Sequence, residues 1–494
     1  MDRRVFLKNM AWTGLASPVW RYAKAANVVQ KSWPNIVYIL ADDLGYGDLR
    51  CYNPDSKIPT PFISQLAAEG VRFTDAHSGS AVCTPTRYGI LTGRYSWRGR
   101  LKKGVLWGYS YPLIEPDRLT VASLLKKRGY ATACVGKWHL GLDWLTRDGR
   151  IPQDSAAEKG EDIDFSQPIK HSPNFYGFDY FFGIPASLDM VPYVYIENDR
   201  VTAQPDGWIE GNTGLRLFRA GPIAADFKPG QVLSRLRDQA VAFIEKQTAQ
   251  KPDQPFFLYF PLTAPHTPVL PTDSAKGRSQ AGDYGDFVVQ VDDTVGAIVH
   301  VLQKLNLLQN TLIIFTSDNG SVMLPMNEFG HLPNDGLRGR KSDVWDGGHR
   351  IPFISHWPAT GVKGKICQET ICLTDLMATC AEIAKMSMPE NAGEDSFSLL
   401  PLIQGKAVAE GWRAATIHHS SEGLFAIRRG RWKLIEGRGS GGWSSKGTAE
   451  DPAGQLYDMQ SGLDEKRNLY LEKPELVREM MTLLETMRSC GRSR

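Results

Sequence analysis

Asn35-Ile36-Val37-Tyr38-Ile39-Leu40 carries apolar and β-branched side chains without alternation, then breaks abruptly at Ala41-Asp42-Asp43. A run of this kind is expected of a strand covered on both faces, the habit of parallel sheets. The pattern returns along the chain. Tyr130-Ala131-Thr132-Ala133-Cys134-Val135 ends at Gly136-Lys137-Trp138-His139-Leu140-Gly141, and Phe256-Phe257-Leu258-Tyr259-Phe260 ends at Ala264-Pro265-His266-Thr267-Pro268. Thr311-Leu312-Ile313-Ile314-Phe315-Thr316 stops at Ser317-Asp318-Asn319-Gly320. Helical patterns over 60–69, 119–127, 231–247, 283–305 and 375–383 are spread among these runs, so the spacing predicts an α/β body with a largely parallel sheet. In such sheets ligands bind beyond the carboxyl ends of the strands, which is where the polar clusters fall.

The whole chain sets broad limits. Its 494 residues leave ample room for a core, and 42% hydrophobic with 22% charged residues is ordinary for a globular protein. Lys plus Arg (57) nearly cancel Asp plus Glu (54), so no basic field points to nucleic acid. No run after residue 30 is long and apolar enough for a membrane span. Arg3-Arg4-Val5-Phe6-Leu7-Lys8, a modest apolar stretch over 10–20 and the small residues around Ala23-Lys24-Ala25 are similar to a twin-arginine export signal occupying 1–25. That resemblance implies export in the folded state, to the bacterial periplasm or beyond. The seven cysteines are irregularly spaced, with no C-x-x-C pair to suggest zinc, and spacing leaves open whether Cys367 and Cys372 pair.

Between the apolar runs lies Cys83-Thr84-Pro85-Thr86-Arg87-Tyr88-Gly89-Ile90-Leu91-Thr92-Gly93-Arg94. After a short strand over 71–74 it falls at a strand-to-helix junction, with the helix expected to begin over 88–91. Taken alone, Cys83 reads as a buried cysteine before a turn proline. Asp42-Asp43 and Asp318-Asn319, taken singly, read as turns or caps. Together they place four oxygen donors at two strand ends, a set suited to Ca²⁺ or Mg²⁺ rather than zinc. Lys137 and His139 are two residues apart, so an extended segment would point both to one side.

These motifs, in this order, resemble those of the type I sulfatases, over residues 35 to about 469. The resemblance implies an alkaline-phosphatase-like fold: a mostly parallel central sheet flanked by helices over 26–398, and a smaller C-terminal α+β subdomain over 399–494 with a short antiparallel sheet. Strand patterns at 415–418, 425–428 and 432–435, and a helical one at 474–487, agree with the latter. It further implies that a formylglycine-generating maturation enzyme converts Cys83 to formylglycine (3-oxoalanine). The aldehyde hydrate would attack sulfur, giving a sulfated hemiacetal whose second hydroxyl expels sulfate. Asp42, Asp43, Cys83, Asp318 and Asn319 would surround one Ca²⁺, with Asp318 accepting the hydrate's proton. Arg87, Lys137 and Lys341 would neutralise the ester's charge, His139 would help deprotonate the hemiacetal, and His266, assisted by Lys341, would protonate the leaving alcohol. The family often has Glu at Asp346, a conservative departure.

Ser187, in Gly183-Ile184-Pro185-Ala186-Ser187, matches a sulfate-contacting serine of some members, and a turn hydroxyl is the alternative. From 142 to 229 the pattern loosens, as expected of insertions around a site. Trp107, Tyr109, Tyr111, Asp189, His331 and Trp443 lie in loops able to meet a sugar ring, or to serve only in packing. The expected substrate is therefore a sulfated carbohydrate. Two rival readings remain: a phosphonate or phosphate ester hydrolase using the same formylglycine, and a non-catalytic binder of sulfated glycans in which Cys83 keeps its thiol.

Overall fold

The run over 35–42 does form a strand with every residue buried, and it lies near the middle of a ten-stranded sheet. The computed structural model describes residues 33–153, 156–322 and 326–494, so the export signal expected over 1–25 lies outside the described residues. Asn35–Asp42 pairs in parallel with Phe256–Pro265 on one side and Thr311–Ser317 on the other, Val37 opposing both Leu258 and Ile313. Ala131–Lys137 and then Tyr180–Ile184 extend the parallel array beyond Phe256–Pro265. On the far side, Phe353–His356 runs antiparallel between Thr311–Ser317 and Val71–Phe73, and Lys365–Cys367 closes that edge. Five parallel strands thus deliver their carboxyl ends to one rim of the sheet.

Two helices of 19 and 23 residues, Val232–Gln250 and Gly282–Lys304, pack with this sheet and bury their apolar faces. The third important helix differs from expectation. It spans Cys83–Thr92, beginning at Cys83 rather than near Tyr88, and all its residues are buried. Pro85 falls in the first turn, where a backbone N–H has no intrahelical acceptor, so the proline costs nothing there. Gly93 ends the helix at φ 64, donating to the Gly89 carbonyl at 2.8 Å.

The C-terminal strands form a separate antiparallel sheet, Thr416–His419, Phe425–Arg429, Trp432–Ile435 and Gln455–Asp458, paired in chain order. One face, with Ile417, Ile427, Leu434 and Leu456, packs on Met480 and Leu484 of the last helix, Pro474–Ser489. The other face turns Ala426, Ile435 and Tyr457 toward Val344 and Trp345 of the body. Lys433 points the same way and is buried, its ammonium 2.7 Å from Asp346 and 2.8 Å from Glu465. An apolar sheet face thus closes over an ion triad.

Removing the cation would take the counter-charge from buried Glu465 and leave Asp346 with only the more distant Arg350, at 3.3 Å. Lys433→Met should cost about 3–5 kcal/mol of unfolding free energy, measured by denaturant titration. Burial, with repulsion from Asp346 and against Lys433, pushes the Glu465 carboxyl up to about 7 from 4.5. The native state then holds this proton more tightly than the unfolded chain does. Its contribution favours the fold below about pH 4.5 and is lost as pH rises through about 7. Glu465→Gln should accordingly lose less stability than the parent between about pH 5 and about pH 8; parallel pH profiles would refute this.

Candidate active site

The rim of the sheet gathers the polar strand ends into one buried cluster. Asp42 ends the central strand, and Asp43 follows it in a left-handed conformation, φ 65. Lys137 ends its own strand and sets its ammonium 3.0 and 2.8 Å from the two oxygens of Asp42. Arg87, reaching from the buried helix, donates to Asp318 Oδ2 through Nε at 3.1 Å and Nη2 at 2.7 Å. The same guanidinium lies 3.3 Å from Asp42 Oδ1 and donates to the Lys137 carbonyl at 3.1 Å. Lys341 pairs with both oxygens of Asp43, at 2.8 and 2.9 Å, and Asn319 Nδ2 donates to Asp43 Oδ1 at 2.7 Å.

Burial works to raise Asp42, but Lys137, His266 and Arg87 outweigh it and hold the carboxyl well below the usual range. Asp318 goes the other way. Burial and repulsion from Asp42, against Arg87, push it up to about 6. Burial also raises the Cys83 thiol, more than Lys137 and Lys341 lower it, so the unmodified side chain is no thiolate at neutral pH. Burial, then Lys137 and Arg87, hold His139 well below its ordinary value, so its ring is neutral.

His139 corrects the sequence argument in one respect. The strand ends at Lys137, and His139 takes φ 56, so the two do not share an extended segment. His139 reaches the cluster through this left-handed turn, a conformation that costs on the order of 1–3 kcal/mol and tends to be kept at working sites. Nε2 donates to the Leu106 carbonyl at 2.7 Å, leaving Nδ1 as a buried acceptor with no donor among the described residues. His266 is fixed in a complementary way. Its Nδ1 donates to the Thr267 carbonyl at 2.5 Å, and Nε2 lies 3.6 Å from Asp43 Oδ2.

The donor set fits a hard divalent cation. Asp42, Asp43 and His266 present ligand atoms within 4.8 Å of one another, and Asn319 Oδ1 is a buried acceptor with no donor among the described residues. An oxygen-rich group with an orphaned amide oxygen is what such an ion satisfies.

The remaining expected site residues divide. Ser187 accepts from Lys137 Nζ at 3.0 Å and lies 3.3 Å from His266 Nε2, inside the cluster. Asp189 is buried with Oδ1 4.0 Å from His266 Nδ1. Trp107 is partly buried beneath the Arg219 guanidinium, which is 4.8 Å from its ring centre. Trp443 is 54% exposed, and its backbone N–H donates to Asp343 Oδ1 at 3.0 Å, two residues past Lys341. His331 is buried against Asp48 at 2.8 Å, and Asp48 also accepts from Tyr284 at 2.6 Å; this is a packing contact. Sequence reasoning missed Leu106 and Arg219. Leu106 donates through its N–H to Thr84 Oγ1 at 3.2 Å while its carbonyl holds His139. These are backbone bonds, which leave no side-chain signature.

A second buried group, His77, His349 and His418, also brings imidazoles together. The rings of His349 and His418 stack at 4.2 Å and 7°, so their in-plane lone pairs run parallel instead of converging on an ion. Lys433 offers only protons, and its ammonium lies 3.1 Å from His349 Nε2, which also faces the Val344 carbonyl at 3.0 Å. His349 Nδ1 and His77 Nδ1 are hydrogen-bonded at 3.0 Å, and His77 Nε2 meets Asp75 Oδ1 at 3.0 Å. His418 bonds the Ser78 carbonyl at 2.9 Å. The group is a chain of neutral hydrogen-bonded rings that braces the segment leading to Cys83.

A mostly parallel sheet with carboxylates, an amide and fixed cations at its carboxyl rim defines a hydrolase of the alkaline-phosphatase-like superfamily. The Sulfatase family model matches residues 34–386. The chain is 35% identical over 500 residues to an N-acetylgalactosamine-6-O-sulfatase of Bacteroides thetaiotaomicron, covering 92% of this chain and 93% of that protein. It is 33% identical over 465 residues to human arylsulfatase A, covering 90% and 85% of the two chains. A solved Bacteroides thetaiotaomicron structure, described in work on the metabolism of multiple glycosaminoglycans, superposes with a TM-score of 0.79 at 33% identity, covering 93% of this chain and all of that one. The chain belongs to the sulfatase family and is a sulfuric ester hydrolase.

Arg87→Lys keeps the charge but loses the fork that grips Asp318 and the Lys137 carbonyl together. It should lower kcat/KM on 4-nitrophenyl sulfate by about 100-fold with an unchanged near-ultraviolet circular dichroism spectrum. An unaltered rate would show that charge alone suffices.

Proposed function

We propose that the protein removes sulfate from a sulfated sugar or polysaccharide, using a formylglycine made from Cys83 by a maturation enzyme. The observation that carries this reading is the convergence of Arg87, Lys137 and Lys341 on Asp42, Asp43 and Asp318 beside Cys83. A sugar substrate is supported by the N-acetylgalactosamine-6-O-sulfatase relative and by the glycosaminoglycan context of the similar structure. Asp42, Asp43, Asp318 and Asn319, with the converted Cys83, would hold one Ca²⁺, which when bound supplies positive charge to the ester and acidifies the hydrated aldehyde.

The chain's own residues divide the remaining work. Arg87, Lys137 and Lys341 present fixed positive charge to a sulfate monoester, which repels nucleophiles unless neutralised. Ser187, already hydrogen-bonded to Lys137, can turn its hydroxyl to a sulfate oxygen. His139 offers Nδ1 as a proton acceptor because its other nitrogen is committed to Leu106. His266, with its Nδ1 proton committed to the Thr267 carbonyl, would protonate the departing alcohol oxygen from Nε2 when the ring carries its second proton. Trp107 and Trp443 are apolar faces against which a sugar ring can lie. We also assign 1–25 to an export signal, 26–398 to the catalytic body and 399–494 to the subdomain, in a protein that works in the bacterial periplasm or outside the cell.

Sulfate release from defined sulfated oligosaccharides tests this reading, with Cys83→Ala as the blank. The variant should be inactive, and the wild-type peptide spanning Cys83 should carry the mass of an aldehyde in place of the thiol. Chelation should abolish activity and added Ca²⁺ restore it. Full activity in Cys83→Ala, or a strong preference for a phosphate diester over a sulfate monoester, would overturn it.

A further inference from the structure

Asp189 is 3% exposed, yet one of its oxygens is left over. Oδ2 is gripped by Arg219 Nη1, and the Asp189 carbonyl accepts from Arg219 N at 3.1 Å and from Tyr193 at 3.0 Å, so the carboxylate is fixed. Oδ1 has no hydrogen-bond partner among the described residues. His266 Nδ1 lies 4.0 Å from it, but that nitrogen's proton is engaged by Thr267. Arg219 is committed in the same place. Its Nε lies 3.4 Å from Glu158, and its plane covers the Trp107 ring.

Three distant segments therefore bring an aromatic face, a guanidinium and an orphan anionic oxygen beside the imidazole assigned to the leaving alcohol. A buried carboxylate oxygen left unpaired is expensive, so a donor from the ligand would be strongly favoured. Sugar hydroxyls are such donors, and a second sulfate at the same place would be repelled. We propose that Asp189 Oδ1 accepts a hydrogen bond from the substrate ring hydroxyl nearest the sulfated position, with Trp107 and Arg219 forming the wall beside that ring. Asp189 is then a specificity-determining residue that selects sulfated sugars with that hydroxyl free. This rests on the sulfate-ester reading above.

The test compares N-acetylgalactosamine 6-sulfate, its single deoxy analogues and 4-nitrophenyl sulfate. Asp189→Ala should lower kcat/KM on the sugar by about 100-fold and leave the aryl ester within about twofold. The wild type should lose a similar factor on one deoxy analogue, which Asp189→Ala no longer distinguishes. Isosteric Asp189→Asn must turn its amide oxygen to Arg219 and its NH2 to the substrate, so it can meet the hydroxyl only as a donor, and it should show a smaller loss of about tenfold with an unchanged unfolding midpoint. Equal losses on sugar and aryl ester would mean that Asp189 acts through His266, and would overturn the proposal. So would undiminished activity of Asp189→Ala on the sugar, or wild-type activity confined to the aryl ester. A wild type that releases sulfate from neither substrate would overturn the proposed function on which this inference rests.

Discussion

Arg87 is the tie on which the site depends. It is wholly buried, and a guanidinium out of water is tolerable only where anions and carbonyl oxygens surround it. Asp318, Asp42 and the Lys137 carbonyl supply them from three strands, while Arg87 itself comes from the helix beneath. Take away any partner and the others repel or stand unsatisfied. Sheet register, helix position and site geometry are consequently one constraint, since the strand ends must stop where one guanidinium can reach them all.

The lysines extend the same logic outward. Lys137 and Lys341 each clamp a carboxylate, and these carboxylates would otherwise repel one another across the pocket. An incoming anion is thus met by cations already held in place, with little reorganisation left to do. Local backbone strain is spent in the same spot: Asp43 and His139 are both left-handed, and both belong to the cluster.

Much of this was legible in the sequence because strands buried on both faces announce themselves as apolar runs, and their ends as breaks. Asp42, Lys137, His266 and Asp318 sit at such breaks. The helix at Cys83 was misjudged because Pro85 looks like a turn residue, and only its place in the first turn makes it harmless. Phe353–His356 escaped notice since a short antiparallel strand has no periodicity to display. Lys433 alternates with Leu434 and reads as a solvent-facing cation, although its face of the sheet turns inward onto Asp346 and Glu465. Leu106 and Arg219 were invisible for another reason: they act through backbone bonds and long-range packing, which no local pattern encodes.

The complete burial of the Cys83 helix has a temporal meaning. A maturation enzyme of the kind proposed for Cys83 has to grip the backbone around it as well as the side chain, and in the finished fold that backbone lies in a helix with every residue buried, so the encounter would come before the body closes. A chain that folds with its thiol intact keeps it. On the proposed reading, the share of converted chains would be set by a race between modification and folding. The fold acts as an archive of that race.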